Sequence, residues 1–124
     1  MNSVPAERAG TASGINNAVS RLAGVLSIAA LGVVMLASFN QHLSSRLAAI
    51  DLAPEIRQQI DSQRVRLAAI DIPQEIDNRL KQDVRRSVDE SFVAGFRLVM
   101  LVASGLALLS AATARLLIGG ESGE

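Results

Sequence analysis

Three strongly polar residues, Asn16, Asn17 and Arg21, stand just ahead of a run from Leu22 to Ser45 that holds no Lys, Arg, Asp or Glu. Polar groups at the edge of an apolar helix are functional candidates by default, because hydrocarbon offers them no partner. Their chemistry here is contact chemistry: Arg21 can snorkel to lipid phosphates, and the Asn pair can bridge to a neighbouring loop. His42 lies at the far end of the same run and is read as a solvated side chain, not a proton relay. Bond-making chemistry is poorly supplied, with no Cys, one His, no Trp and no Tyr. No P-loop, GxSxG, HExxH or Cys/His metal spacing occurs, and the carboxylates lie on a periodic charged stretch with no reason to converge. The expectation is therefore no enzyme, no catalytic residue, no metal and no cofactor.

The elements that must position these residues follow from where the charges are missing. The 124 residues suit about one domain and are 49% apolar. Twelve Lys and Arg balance twelve Asp and Glu. No basic surplus exists to neutralise a phosphate backbone, so nucleic acid is not an expected partner. Within the first charge-free run, Leu22 to Phe39 would make a helix of about 27 Å, close to the roughly 30 Å hydrocarbon core of a bilayer. A second charge-free run, Leu98 to Ala114, is shorter, richer in Ala and Ser, and bracketed by Arg97 and Arg115. It spans if Phe92, Val93 and Phe96 sit at one interface, Leu116 to Ile118 at the other, and both Arg side chains reach outward. A soluble bundle would need a larger core to hide two such runs. A cleaved signal peptide has a shorter apolar core placed nearer the chain start. The expected fold is an all-α membrane protein of two transmembrane helices joined by a helical, charged extramembrane loop. Its expected divisions are a lead-in over 1–14, helices over 15–40 and 92–118, the loop over 41–91 and a tail over 119–124.

The loop holds eight of the twelve basic residues and nine of the twelve acidic ones. It contains a repeat: Arg46-Leu-Ala-Ala-Ile-Asp51 recurs as Arg66-Leu-Ala-Ala-Ile-Asp71, each followed by Pro and Glu-Ile. This predicts a pair of amphipathic helices, with Pro54 and Pro73 in first turns and Asp51 and Asp71 as upstream caps. After Pro73 the apolar residues Ile76, Leu80, Val84, Val88 and Phe92 recur every fourth position, which predicts one helix running on into the second span. Its opposite face, with Asp77, Arg79, Lys81, Asp83, Arg85, Arg86 and Asp89, reads as solvated and self-pairing. Small residues supply the expected packing surfaces: Gly10 with Gly14, Ser20 with Gly24, Gly32, and a ridge of Ala103, Ala107 and Ala111, helped by Ser27, Ser104 and Ser110.

The segment Val4-Pro-Ala-Glu-Arg-Ala-Gly-Thr-Ala-Ser-Gly-Ile-Asn-Asn17, followed by Arg21, Gly24, Ala29 and Gly32, resembles the penultimate membrane helix of the fourteen-helix drug:proton antiporters of the major facilitator superfamily. Those transporters carry a loop with VP and an acidic residue, a GxxSG(I/L)xN run, then an Arg and spaced glycines. A final helix introduced by a Phe-rich stretch like Ser91 to Phe96 fits the same pattern. One departure is Leu22-Ala23-Gly24-Val25, where many relatives have Gln-Leu-Gly-Gly. The resemblance implies a bacterial plasma (inner) membrane protein with cytoplasmic termini and an extracytoplasmic loop. It also implies partners in membrane lipid and in the transporter's remaining helices, and it permits a gating contact at Asn16, Asn17 and Arg21. Neither span contains a carboxylate, so the coupling residues would lie upstream and this chain would be a carboxy-terminal fragment, not transport-competent alone. Met1 would then be an internal methionine or a misassigned start. A count of basic residues alone favours the opposite orientation, with the loop inside; the upstream helices of a fourteen-helix protein would already have fixed the direction. The alternative is a standalone two-helix membrane protein whose loop oligomerises or binds a partner along the Ile76–Phe92 stripe.

Overall fold

The computed structural model describes residues 6–119, so Val4, Pro5 and the tail beyond Gly119 lie outside the described residues. The elements are α1 (Ala6–Leu47), α2 (Pro54–Ser62), a 3₁₀ helix (Arg64–Ala69) and α3 (Asn78–Gly119), with no strand among the described residues. No proline interrupts α1 or α3, and both are rich in Ala and Leu, the strongest helix formers. Each is long and apolar enough to cross a membrane, within Ser13–Leu47 and Asn78–Leu116. α1 continues through Leu47, past the expected end of its span at residue 40, and α3 begins at Asn78 and runs on into the second apolar run as the spacing after Pro73 predicts. At 1.5 Å per residue α3 is about 63 Å long, twice the thickness of a bilayer core.

The contacts divide the described chain between Val33 and Val34. The described part up to Val33 is helix throughout, and its Ile15, Val19, Leu22, Val25, Leu26 and Ile28 are all at least 59% exposed. Ser27 turns back on its own helix and donates to Ala23 O at 2.8 Å.

The part from Val34 onward has a core. Phe39, Leu43 and Leu47 recur every fourth residue on α1 and are buried with Val84 and Val88 of α3. Leu52, Ile60 and Ile70 close the cluster from the connecting segment, and Leu80 and Phe92 pack against it half-buried. Of the expected stripe, Val84 and Val88 lie in this core and Leu80 and Phe92 against it, whereas Ile76 precedes α3 and is not part of the cluster. Each fully buried Val, Leu, Ile or Phe stabilises such a cluster by about 1.5–3 kcal/mol.

The connecting segment differs from expectation. Pro54 opens α2 as predicted, but Ala53 is the residue at the cap and no side chain bonds there; Asp51 is exposed. Pro73 opens nothing. It is buried in the non-helical link before α3, and the cap is Asp77, whose Oδ2 accepts from the Arg79 N–H at 3.2 Å and whose carbonyl accepts from the Lys81 N–H at 2.9 Å. Asp71 is already engaged, its carboxylate by Arg66 at 2.5 Å and its N–H by Gln63 Oε1 at 3.0 Å. Nor does the repeat form a pair of helices. Both copies end one: Ile50 N–H donates to Leu47 O at 3.2 Å, and Ile70 N–H donates to Leu67 O at 3.3 Å. Farther along, Ala53 takes an extended ψ of 141°, the conformation that a following proline imposes on the residue before it. The copies differ at their Leu. Leu47 is helical and buried, whereas Leu67 takes φ 53° and ψ −122°, a left-handed kink that disfavours a branched side chain.

Candidate functional site

The most constructed part of the molecule is where the end of α1 crosses α3. Ser87, Ser91 and Gly95 lie four residues apart on α3, and all three are buried. The Ser91 hydroxyl donates to Ser87 O at 2.6 Å and the Ser87 hydroxyl to Asp83 O at 2.8 Å. Satisfied within their own helix, these serines present a small, quiet surface to the neighbour. Gly95 completes the ridge: a Cβ placed there would stand 3.0 Å from Met35 Sδ and 3.3 Å from Met35 O. Only glycine permits this approach without a shift of the backbone. Ser38, buried on α1, is the small residue on the other side.

Charge surrounds the crossing. Glu90 of α3 pairs with Arg46 of α1 and accepts from Arg86 Nε at 2.7 Å. The Arg86 hydrogen bond holds the Glu90 carboxyl below its ordinary 4.5; desolvation opposes this, and the positive charges of Arg46 and Arg86 reinforce it. Arg85 and Asp89 form a looser pair at 3.8 Å. Two further arginines hold the end of α1 from the connecting segment. Arg57 donates to Leu47 O at 3.0 Å, and Arg64 donates to Asn40 O at 3.1 Å and Ser44 Oγ at 2.9 Å while bonded to Asp61. Cations there complement the negative end of the helix dipole. Asn40 Oδ1 is buried and has no partner among the described residues.

Two grooves run along α3. A polar one of about 390 Å³ is lined by Arg46, Asp89, Glu90, Val93, Ala94 and Arg97. An apolar one of about 370 Å³ lies next to it along Phe96, Met100, Leu101 and Ser104, and Arg97 borders both. Arg97 has no carboxylate within ion-pair distance among the described residues. Among those residues, no three of His, Cys, Asp and Glu converge. The chemistry on offer is binding of charge beside an apolar surface.

The sequence-predicted residues are elsewhere. Asn16, Asn17 and Arg21 are exposed and make no side-chain hydrogen bond or ion pair among the described residues, and a Cβ at Gly10, Gly14, Gly24 or Gly32 would meet nothing. His42 is exposed, Ala103 is half-buried, and Ala107 and Ala111 are exposed. The observed crossing uses a different ridge, Ser87, Ser91 and Gly95. Its signal was the same four-residue spacing of small residues, obscured by the apolar stripe on the same helix. Compared with known families, curated proteins and solved structures, the chain matches none.

Proposed function

We infer that this chain forms the last two membrane helices of a proton-coupled multidrug efflux antiporter of the major facilitator type, contributing packing and gating surface to a bundle completed by other helices. The observation that carries the reading is the run Gly10 to Arg21 with Gly24 and Gly32, set along the unbroken helix α1 and leading into its apolar span. Helices in lipid associate where small residues let backbones approach, so a glycine-lined helix face is suited to packing against a further helix. On this reading both termini are cytoplasmic, the charged head lies on the outer face of a bacterial plasma membrane, and the coupling carboxylates lie in helices upstream. A standalone hairpin that recruits a partner through the Ile76–Phe92 stripe has less support, since Val84 and Val88 are used up inside the head.

The test is completion of a truncated transporter. A fourteen-helix drug:proton antiporter lacking its last two helices is fused to this chain, and efflux of a cationic dye is followed in cells. The expected result is dye export by the fusion and none by the truncated protein. A fusion that reaches the membrane in normal amount and exports nothing would overturn the reading.

A further inference from the structure

Arg97 stands at a chemical boundary. Toward the head it borders the polar groove with Arg46, Asp89 and Glu90; in the other direction it borders the apolar groove of Phe96, Met100, Leu101 and Ser104. From Asp89 to Ser104 the helix advances about 22 Å, about the thickness of one bilayer leaflet with its headgroups. The polar groove contains two cations and two carboxylates, so its formal charge is zero. Its charges are nonetheless unevenly engaged. Glu90 is shared between Arg46 and Arg86, Asp89 has only the 3.8 Å pair with Arg85, and Arg97 has no carboxylate partner among the described residues. A guanidinium without a partner and a weakly paired carboxylate, about two turns apart along one groove, are complementary to a ligand carrying a phosphate and an ammonium together. A guanidinium binds phosphate oxygens bidentately.

We propose that this pair of grooves binds a zwitterionic phospholipid of the phosphatidylethanolamine class. Its phosphate lies on Arg97, its ammonium toward Asp89, and an acyl chain along Phe96 and Met100. The inference rests on the reading that α3 crosses a bilayer. It goes further by specifying the lipid and its orientation. An anionic lipid with no ammonium would leave Asp89 facing a glycerol headgroup, and the groove would select against it.

The experiment uses the full chain reconstituted in vesicles of equal phosphatidylethanolamine and phosphatidylglycerol. Native mass spectrometry of the released protein then counts retained lipids. The wild type is expected to retain phosphatidylethanolamine in preference by about tenfold, the scale of one charge-assisted hydrogen bond. Asp89→Asn should abolish or reverse that preference while retention continues. Arg97→Gln should reduce retention of both lipids, and Arg115→Gln, the same charge change at the other end of the apolar run, should change neither. Equal retention of the two lipids by the wild type, or a preference untouched by Asp89→Asn, overturns the proposal. A chain that carbonate washes from the vesicles overturns the membrane reading and this proposal together, whereas an inserted chain without preference overturns this proposal alone. Circular dichroism of each variant establishes that a lost preference is not a lost fold.

Discussion

At Gly95 one methyl group is enough to disturb the crossing, because the space is bounded on one side by a backbone carbonyl, that of Met35, and not only by its flexible side chain. Gly95→Leu should destabilise the protein by about 1–3 kcal/mol, the usual penalty of overpacking. Gly105→Leu, where a Cβ would meet nothing, should be close to neutral. Thermal unfolding in detergent followed by circular dichroism compares the two, and equal losses would show that the close approach is not a stability determinant. Glu90 makes a second prediction. Its carboxyl is held below 4.5 in the folded protein by Arg86 and then by Arg46, so its contribution is fully present above the unfolded value and is lost as pH falls through the lower folded value. Stability should therefore decline more steeply below pH 4.5 in the wild type than in Glu90→Gln, which an acid titration of the melting temperature reads directly. Both residues were visible in the sequence, yet neither stood out. Gly95 sat inside a Phe-rich stretch, and Glu90 was one more charge on a charged helix. What singles them out is the neighbour brought up by α1, and nothing local to either residue encodes that neighbour.

The helices were legible where their sequence is strictly periodic and less so where it is short. Val84 and Val88 lie in the core, and α3 runs unbroken from the charged segment into the apolar one, as the four-residue spacing predicts. The repeat misled because each hexapeptide copy ends a helical stretch and starts none: Pro54 opens α2 with Ala53 at the cap, whereas before α3 the cap is Asp77 and not Asp71. The connecting segment depends instead on Arg57 and Arg64 gripping the carbonyls of α1. Arg64→Ala should cost about 1–2 kcal/mol, and Ser44→Ala should add little on top of it because the two share a bond. A double-mutant cycle on unfolding free energy measures the shared part, and full additivity would show that the Arg64–Ser44 bond contributes nothing to stability. Leu43→Ala, in the centre of the same cluster, should cost about 2–5 kcal/mol. Hydrogen exchange should then show α2 and the 3₁₀ helix losing protection together, as one cooperative unit.

For the whole molecule, orientation is the property that charge and resemblance read in opposite ways, and the natural lack of cysteine makes it easy to measure. A single cysteine at Ser62 should react with a membrane-impermeant maleimide in intact cells, and one at Gly10 only after permeabilisation. The reverse pattern would place the head in the cytoplasm, as the count of basic residues favours. Beyond orientation, the length of α3 has a mechanical meaning. It joins the head to the apolar half as one rod of about 63 Å without a proline, so each degree of tilt at one end moves the other by about 1 Å. A push on the head is thus converted into a swing of the apolar half, with no joint between them to absorb it.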